Sequence, residues 1–254
     1  MTFELFFVSS NMRANKRFSW KPSVHTTKYT DSRTEYNTHM LSIDVWIIVT
    51  IVGLILLLAA ERRGATAQRI VFKVIASTAF ILTAVSGGAL DSRYGLFILT
   101  GLALSWFGDV FLLWRHPLIF QAGLVSFLLA HVTYIGAFLS TGPSHAASGV
   151  ALLCCGVVIV LVVQWIRPHL TTDMRYPVMA YITVISGMVV FAAGAAWSTG
   201  QWVILAGAVM FYLSDIAVAR DRFVAPGFAN SLWGLPLYYG GQLLLAYSVS
   251  LVGV

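Results

Sequence analysis

The sequence predicts an all-α fold: a polytopic membrane helix bundle of about eight transmembrane helices. Three observations carry that expectation. Charge is scarce, since 58% of the 254 residues are hydrophobic and only 10% are charged, where a soluble domain holds roughly 25% charged residues. The apolar residues gather into runs of about 17–24, long enough as helices to cross a hydrocarbon layer ~30 Å thick. The links between runs are short, about three to eleven residues, which suits antiparallel neighbours in a compact bundle.

Residues 1–43 stand apart. They are polar, mixed in charge and without a period, and read as a disordered tail. The brief apolar patch FELFFV precedes the basic residues, the reverse of a signal peptide's order. Met40 opens MLSIDVWIIV like the start of a membrane protein, so the first 39 residues read as a dispensable extension or as no part of the natural protein.

The eight-span domain then occupies 44–254. Span one is 44–60 (DVWIIVTIVGLILLLAA), an unbroken apolar run. Span two, 68–86, holds Lys73. Span three, 95–114, holds Ser105 and Asp109. Span four, 118–139, holds His131 and Tyr134. Span five, 147–166, contains Cys154 and Cys155, which are adjacent in an apolar run and read as packing residues. Span six is 177–196. Span seven, 200–219, holds Tyr212 and Asp215. Span eight, 231–253, opens with SLWGLPLYYGGQ, where Pro236 frees a backbone carbonyl and Tyr238, Tyr239 and Gln242 follow.

The formal charge of +6 sits mainly in the tail and the short loops. No basic stripe with interleaved aromatics exists, so nucleic acid is not an expected partner. The loops after spans one, three, five and seven carry Arg62, Arg63, Arg69, Arg115, Arg167, Arg175, Arg220 and Arg222; those after the even spans carry only Arg93. The positive-inside rule then puts the odd-numbered loops in the cytoplasm and both termini outside, in a bacterial plasma membrane. Spans three and seven run in the same direction. Asp109 lies six residues before Arg115 and Asp215 five before Arg220, so each carboxylate sits roughly 8–9 Å from the inner loops. Lys73, four residues after Arg69, enters at the same level.

Asp109 and Asp215 follow Gly108 and Ser214, and the span after each carries polar aromatics. Four spans separate the two, the echo of a parallel internal repeat. Ionisable residues inside spans are costly and normally face the bundle interior or a water-filled cavity. Two carboxylates in a dry site can hold protons unequally, one donating and the other activating water. Lys73 can keep one ionised, bind a phosphate, or simply snorkel to the interface. Ser105 lies at i−4 from Asp109 and Tyr212 at i−3 from Asp215, each within reach of a hydrogen bond along one helix face. His131 and Tyr134 fit either a helix–helix hydrogen bond or a supporting role. No GxSxG elbow, HExxH helix or metal-ligand spacing occurs, and the sequence calls for no cofactor.

SWFGD at 105–109, FLLAHVTY at 127–134, YLSD at 212–215 and LPLYYGGQ at 235–242, in this order over eight spans, resemble the YhhN / TMEM86 family of lysoplasmalogenase-like integral membrane proteins. The resemblance covers roughly residues 41–254. It implies hydrolysis of the vinyl ether bond of lysoplasmalogen-like lysolipids to a fatty aldehyde and a glycerophospho-alcohol. It implies Asp109 and Asp215 as catalytic carboxylates, Lys73 as the basic residue of span two, and supporting places for His131, Tyr134, Tyr239 and Gln242. Where many relatives follow that lysine with Pro, this chain has Val74. The implied partners are a lysophospholipid-like amphiphile and the bilayer, with the phosphate toward Lys73 and the loop arginines. Two other classes share this pattern: a lipid transporter or binding protein, and a structural protein whose aspartates only hold helices together.

Overall fold

The computed structural model describes residues 25–114 and 116–252, with side chains from Leu41 onward. The sequence-predicted tail falls largely beyond this: residues 1–24 lie outside the described residues, as does Arg115. Contacts divide the chain into residues Met1–Tyr36, of which 25–36 are helical, and a compact unit Asn37–Val254. All that follows concerns the second unit.

The helices are α1 (His25–Arg63), α2 (Thr66–Ser86), α3 (Arg93–Phe111), α4 (Pro117–Ser140), α5 (His145–Ile166), α6 (Thr172–Thr199), α7 (Trp202–Ala219) and α8 (Phe228–Val252). All eight contain segments long and apolar enough to cross a membrane, Leu41–Arg63 being that part of α1. This is an integral membrane helix bundle. Spans two to eight agree with these helices to within about five residues; the largest difference is α1, which begins at His25, so that residues 25–43 of the expected disordered tail are helical and continue into span one without a break.

Local chemistry sets the ends. Ser92 caps α3 by accepting the Gly95 N–H at 3.0 Å, and Ser144 caps α5 in the same way from Ala147. Pro117 opens α4, where its missing N–H costs nothing. Gly200 stops α6 in the left-handed conformation, φ 74°.

Packing arranges six of the helices as a closed ring in the order α2, α3, α4, α6, α7, α8 and back to α2. α5 lies against α6 from outside, and α1 meets α2 where Gly53 faces Ala76. Exchanging α1–α4 for α5–α8 maps these pairings onto themselves: α2–α3 onto α6–α7, α3–α4 onto α7–α8, and α4–α6 onto α8–α2. Helices four apart run in the same direction, so the pattern is that of a parallel repeat. Inside the ring lie Phe80, Tyr134, Phe138, Phe211, Tyr239 and Leu245, all fully buried. Outside, α5 exposes Leu152, Leu153, Val157 and Leu161, an apolar surface that water would penalise and hydrocarbon accepts.

The α7–α8 crossing is backbone on backbone. A Cβ on Gly241 would stand 2.9 Å from the Gly207 carbonyl oxygen and 3.0 Å from the Phe211 nitrogen. Small residues at such crossings let helices approach closely where no hydrophobic force separates protein from lipid. Gly241→Ala should therefore cost about 1–3 kcal/mol by overpacking and lower the melting temperature in detergent. Gly156→Ala on α5, with nothing within 4 Å of the added carbon, should leave it unchanged.

Candidate functional site

A cavity of about 560 Å³ opens among the helices of the ring, with Glu61 of α1 and Val162 and Ile166 of α5 completing its lining. Asp109 on α3 and Asp215 on α7 both line it, and it extends to Glu61, Arg69, Asp221 and Arg222, at the end of the bundle where the odd-numbered helices finish. An aromatic cluster links the surroundings of the two carboxylates. Tyr238 meets Phe211 at 5.6 Å and Phe127 at 5.9 Å, ring centre to ring centre, and Phe211 leans on His131 at 4.5 Å.

Asp109 is almost wholly buried and receives donors from two helices. The Lys73 ammonium on α2 lies 3.2 Å from its Oδ1. Ser77, one turn further along α2, donates to Oδ2 at 2.6 Å, and Tyr238 on α8 donates to the same oxygen at 2.7 Å. Tyr239 stands behind Ser77, its hydroxyl 3.2 Å from the serine oxygen. A cation and two hydroxyls converging on one carboxylate compensate an ionised group that is otherwise expensive to bury.

Asp215 has different company. Tyr181 on α6 donates to its Oδ2 at 2.7 Å. The Nε2 of His131 on α4 lies 3.6 Å from the same oxygen, beyond hydrogen-bond length, and the His131 ring meets Tyr181 edge-on at 5.3 Å. Apart from His131, no basic side chain among the described residues forms an ion pair with Asp215.

The two settings correspond under the repeat. Asp109 is contacted from α2 and α8; Asp215 is contacted from α6 and α4, the equivalents of those helices. The positions correspond while the chemistry differs: a lysine, a serine and a tyrosine on one side, a tyrosine and a histidine on the other.

The residues named from the sequence fall into two groups. Lys73, Asp109, Tyr212, Asp215 and Tyr238 line the cavity. Ser105, His131, Tyr134, Tyr239 and Gln242 are fully buried behind the wall, where Tyr134 donates to Gln242 at 2.7 Å across α4 and α8. Two expected hydrogen bonds are corrected. Ser105 does not bond Asp109, because the carboxylate turns toward α2 and α8, where stronger donors wait. Tyr212 does not bond Asp215: its hydroxyl faces Ser186 on α6 at 3.5 Å, and Tyr181 takes its place. Ser77 and Tyr181 were missed. Ser77 was within reach, four residues after Lys73 on the same helix face. Tyr181 carried no sequence cue, since only the α6–α7 packing aims it.

Lys73→Met leaves the Asp109 charge buried without its cation and should destabilise the protein by about 3–5 kcal/mol. Adding Asp109→Asn should recover most of that loss, and melting curves of the two single variants and the double variant measure the coupling.

Residues 68–249 match the model of the YhhN family. The chain is similar to the lysoplasmalogenase TMEM86A of Bos taurus, 29% identical over 175 residues that cover 66% of this chain and 71% of that protein. It is 35% identical to the lysoplasmalogenase TMEM86B of Homo sapiens over 150 residues, 58% of this chain and 60% of the human one. With the lysoplasmalogenase of Mycobacterium tuberculosis (strain CDC 1551 / Oshkosh) it shares 31% identity over 201 residues, 76% and 73% of the two chains. No solved structure matches it.

Proposed function

The chain belongs to the YhhN family, and from that premise we propose that it is a membrane hydrolase cleaving the vinyl ether bond of lysoplasmalogen-like lysolipids. One observation carries the reading: two aspartates from equivalent helices line a single cavity, one with a lysine and two hydroxyl donors, the other with no permanent cation.

That difference divides the work. Asp109, facing only donors, is the ionised carboxylate. Asp215, with a neutral tyrosine as its partner, is the acid. Asp215 gives its proton to the vinyl carbon beta to the ether oxygen, and the alpha carbon becomes an oxocarbenium ion. The charged Asp109 stabilises that cation in a site shielded from water, where such a field acts most strongly. Water adds to the alpha carbon while Asp109 takes its proton, forming a hemiacetal. Collapse then returns both groups to their starting states: Asp109 protonates the departing ether oxygen and Asp215 takes the hydroxyl proton. The products are a fatty aldehyde and a glycerophospho-alcohol, with one water consumed. The alkenyl chain lies along Leu124, Phe127, Ile182 and Ile185 of the same cavity. We keep the arginine-rich end of the bundle on the cytoplasmic side by the positive-inside rule.

The test is purified protein incubated with alkenyl, alkyl and acyl lysolipids of equal chain length, read by free aldehyde. Aldehyde should appear from the alkenyl lipid alone. Asp109→Asn and Asp215→Asn should each reduce the rate about 10²–10⁴-fold, the usual worth of a positioned acid or base, while still binding the uncleavable alkyl lipid. Cleavage of the acyl lipid alone makes the protein a different lysolipid hydrolase. Passage of intact lipid across vesicles makes it a carrier. Variants that only melt earlier make the aspartates structural.

A further inference from the structure

We infer that Arg222, on the turn after α7, is the phosphate anchor of a lysolipid headgroup site at the mouth of the cavity; the inference rests on the lysolipid reading above.

Residues Arg220–Val224 form a π-helical turn, closed by the Ala225 N–H donating to the Arg220 carbonyl at 2.8 Å. Such turns carry one residue more per hydrogen bond than an α-helix and occur often at functional sites. This one is clamped to the start of α8. Asn230, 2% exposed, accepts from the Arg220 guanidinium and donates to Asp221 at 2.9 Å and to the Ala225 carbonyl at 2.8 Å. Asp221 also accepts the Gly227 N–H at 2.9 Å. Arg220 and Asp221 are thereby committed to holding the turn.

Arg222 is left over. It lines the cavity with Asp215 and Phe120, and its guanidinium lies 4.2 Å from the centre of the Phe120 ring. Stacking of this kind holds an arginine in place while leaving its N–H groups free for an anion. It makes no ion pair among the described residues, whereas the other cations of the wall are occupied: Arg69 with Glu61 at 2.8 Å, and Lys73 with Asp109 at 3.2 Å. Of Lys73 and the loop arginines, toward which the phosphate is expected, Arg222 is therefore the better partner.

Reach agrees with the proposed chemistry. Arg222 lies seven positions after Asp215, a helical rise of about 10 Å. From the protonated vinyl carbon to the phosphorus of a lysolipid runs a chain of seven covalent bonds, extended roughly 8–9 Å at ordinary bond lengths. A lipid whose double bond meets Asp215 thus carries its phosphate to the level of Arg222.

The probes are 1-O-alkyl-glycerophosphocholine and the 1-O-alkylglycerol of equal chain length, neither of which can be cleaved, with dissociation constants measured on the full chain in nanodiscs. The unaltered protein should bind the phosphate-bearing lipid at least tenfold more tightly. Arg222→Gln should weaken that lipid about tenfold, the loss of one charge-assisted contact to phosphate, and leave the alkylglycerol within twofold. Arg222→Lys should fall between. Equal affinity of the unaltered protein for the two probes overturns the inference without any variant having to fold, and so does equal weakening of both by Arg222→Gln. Inorganic phosphate competing as well as the lipid would assign the site to free phosphate and overturn the headgroup form. Selective weakening in a protein that releases no aldehyde would keep the anchor and remove only the vinyl ether reaction.

Discussion

A carboxylate inside a hydrocarbon layer must find a partner, and the pairing of Asp109 with Lys73 is the interaction on which this bundle turns. Neither charge can be placed there alone. Together they tie α2 to α3, and the donors that complete the set, Ser77 and Tyr238, bring in α2 again and α8. Three helices of the ring are thus held at one level by a single side chain. The cavity exists because these polar groups point inward and the apolar faces of the same helices point to lipid.

The internal symmetry of the pairings also relates the two aspartates, although their neighbours differ. The symmetry of the helix pairings gives equivalent places to the carboxylates on α3 and α7 and to the helices that contact each. Within that shared frame the side chains differ. One aspartate has a cation beside it; the other is matched by Tyr181, with His131 nearby. A symmetric frame with dissimilar contents is a simple route to one acid and one base in a single cavity, since the separation of roles needs only different neighbours.

The loop after α7 shows the same economy outside the spans. Of its charged residues, Arg220 and Asp221 are bound through Asn230, and this rigidifies the turn that carries Arg222. An arginine stacked on Phe120 and fixed by a clamped turn loses less freedom on meeting an anion than one on a mobile loop.

Much of this was open to reading in the chain itself. The eight spans follow from runs of apolar residues, because hydrocarbon thickness dictates their length and every backbone polar group must be satisfied within the helix. The inward placement of Lys73, Asp109 and Asp215 follows from the same cost, which leaves an ionisable residue few other places to go. What the sequence could not specify was which partner each of them takes. Ser105 and Tyr212 are neighbours along their own helices, yet Ser77, Tyr238 and Tyr181 are the donors, because the crossing of separate helices decides which hydroxyls arrive. Local spacing determines the face of a helix; only the packed ring determines what that face meets.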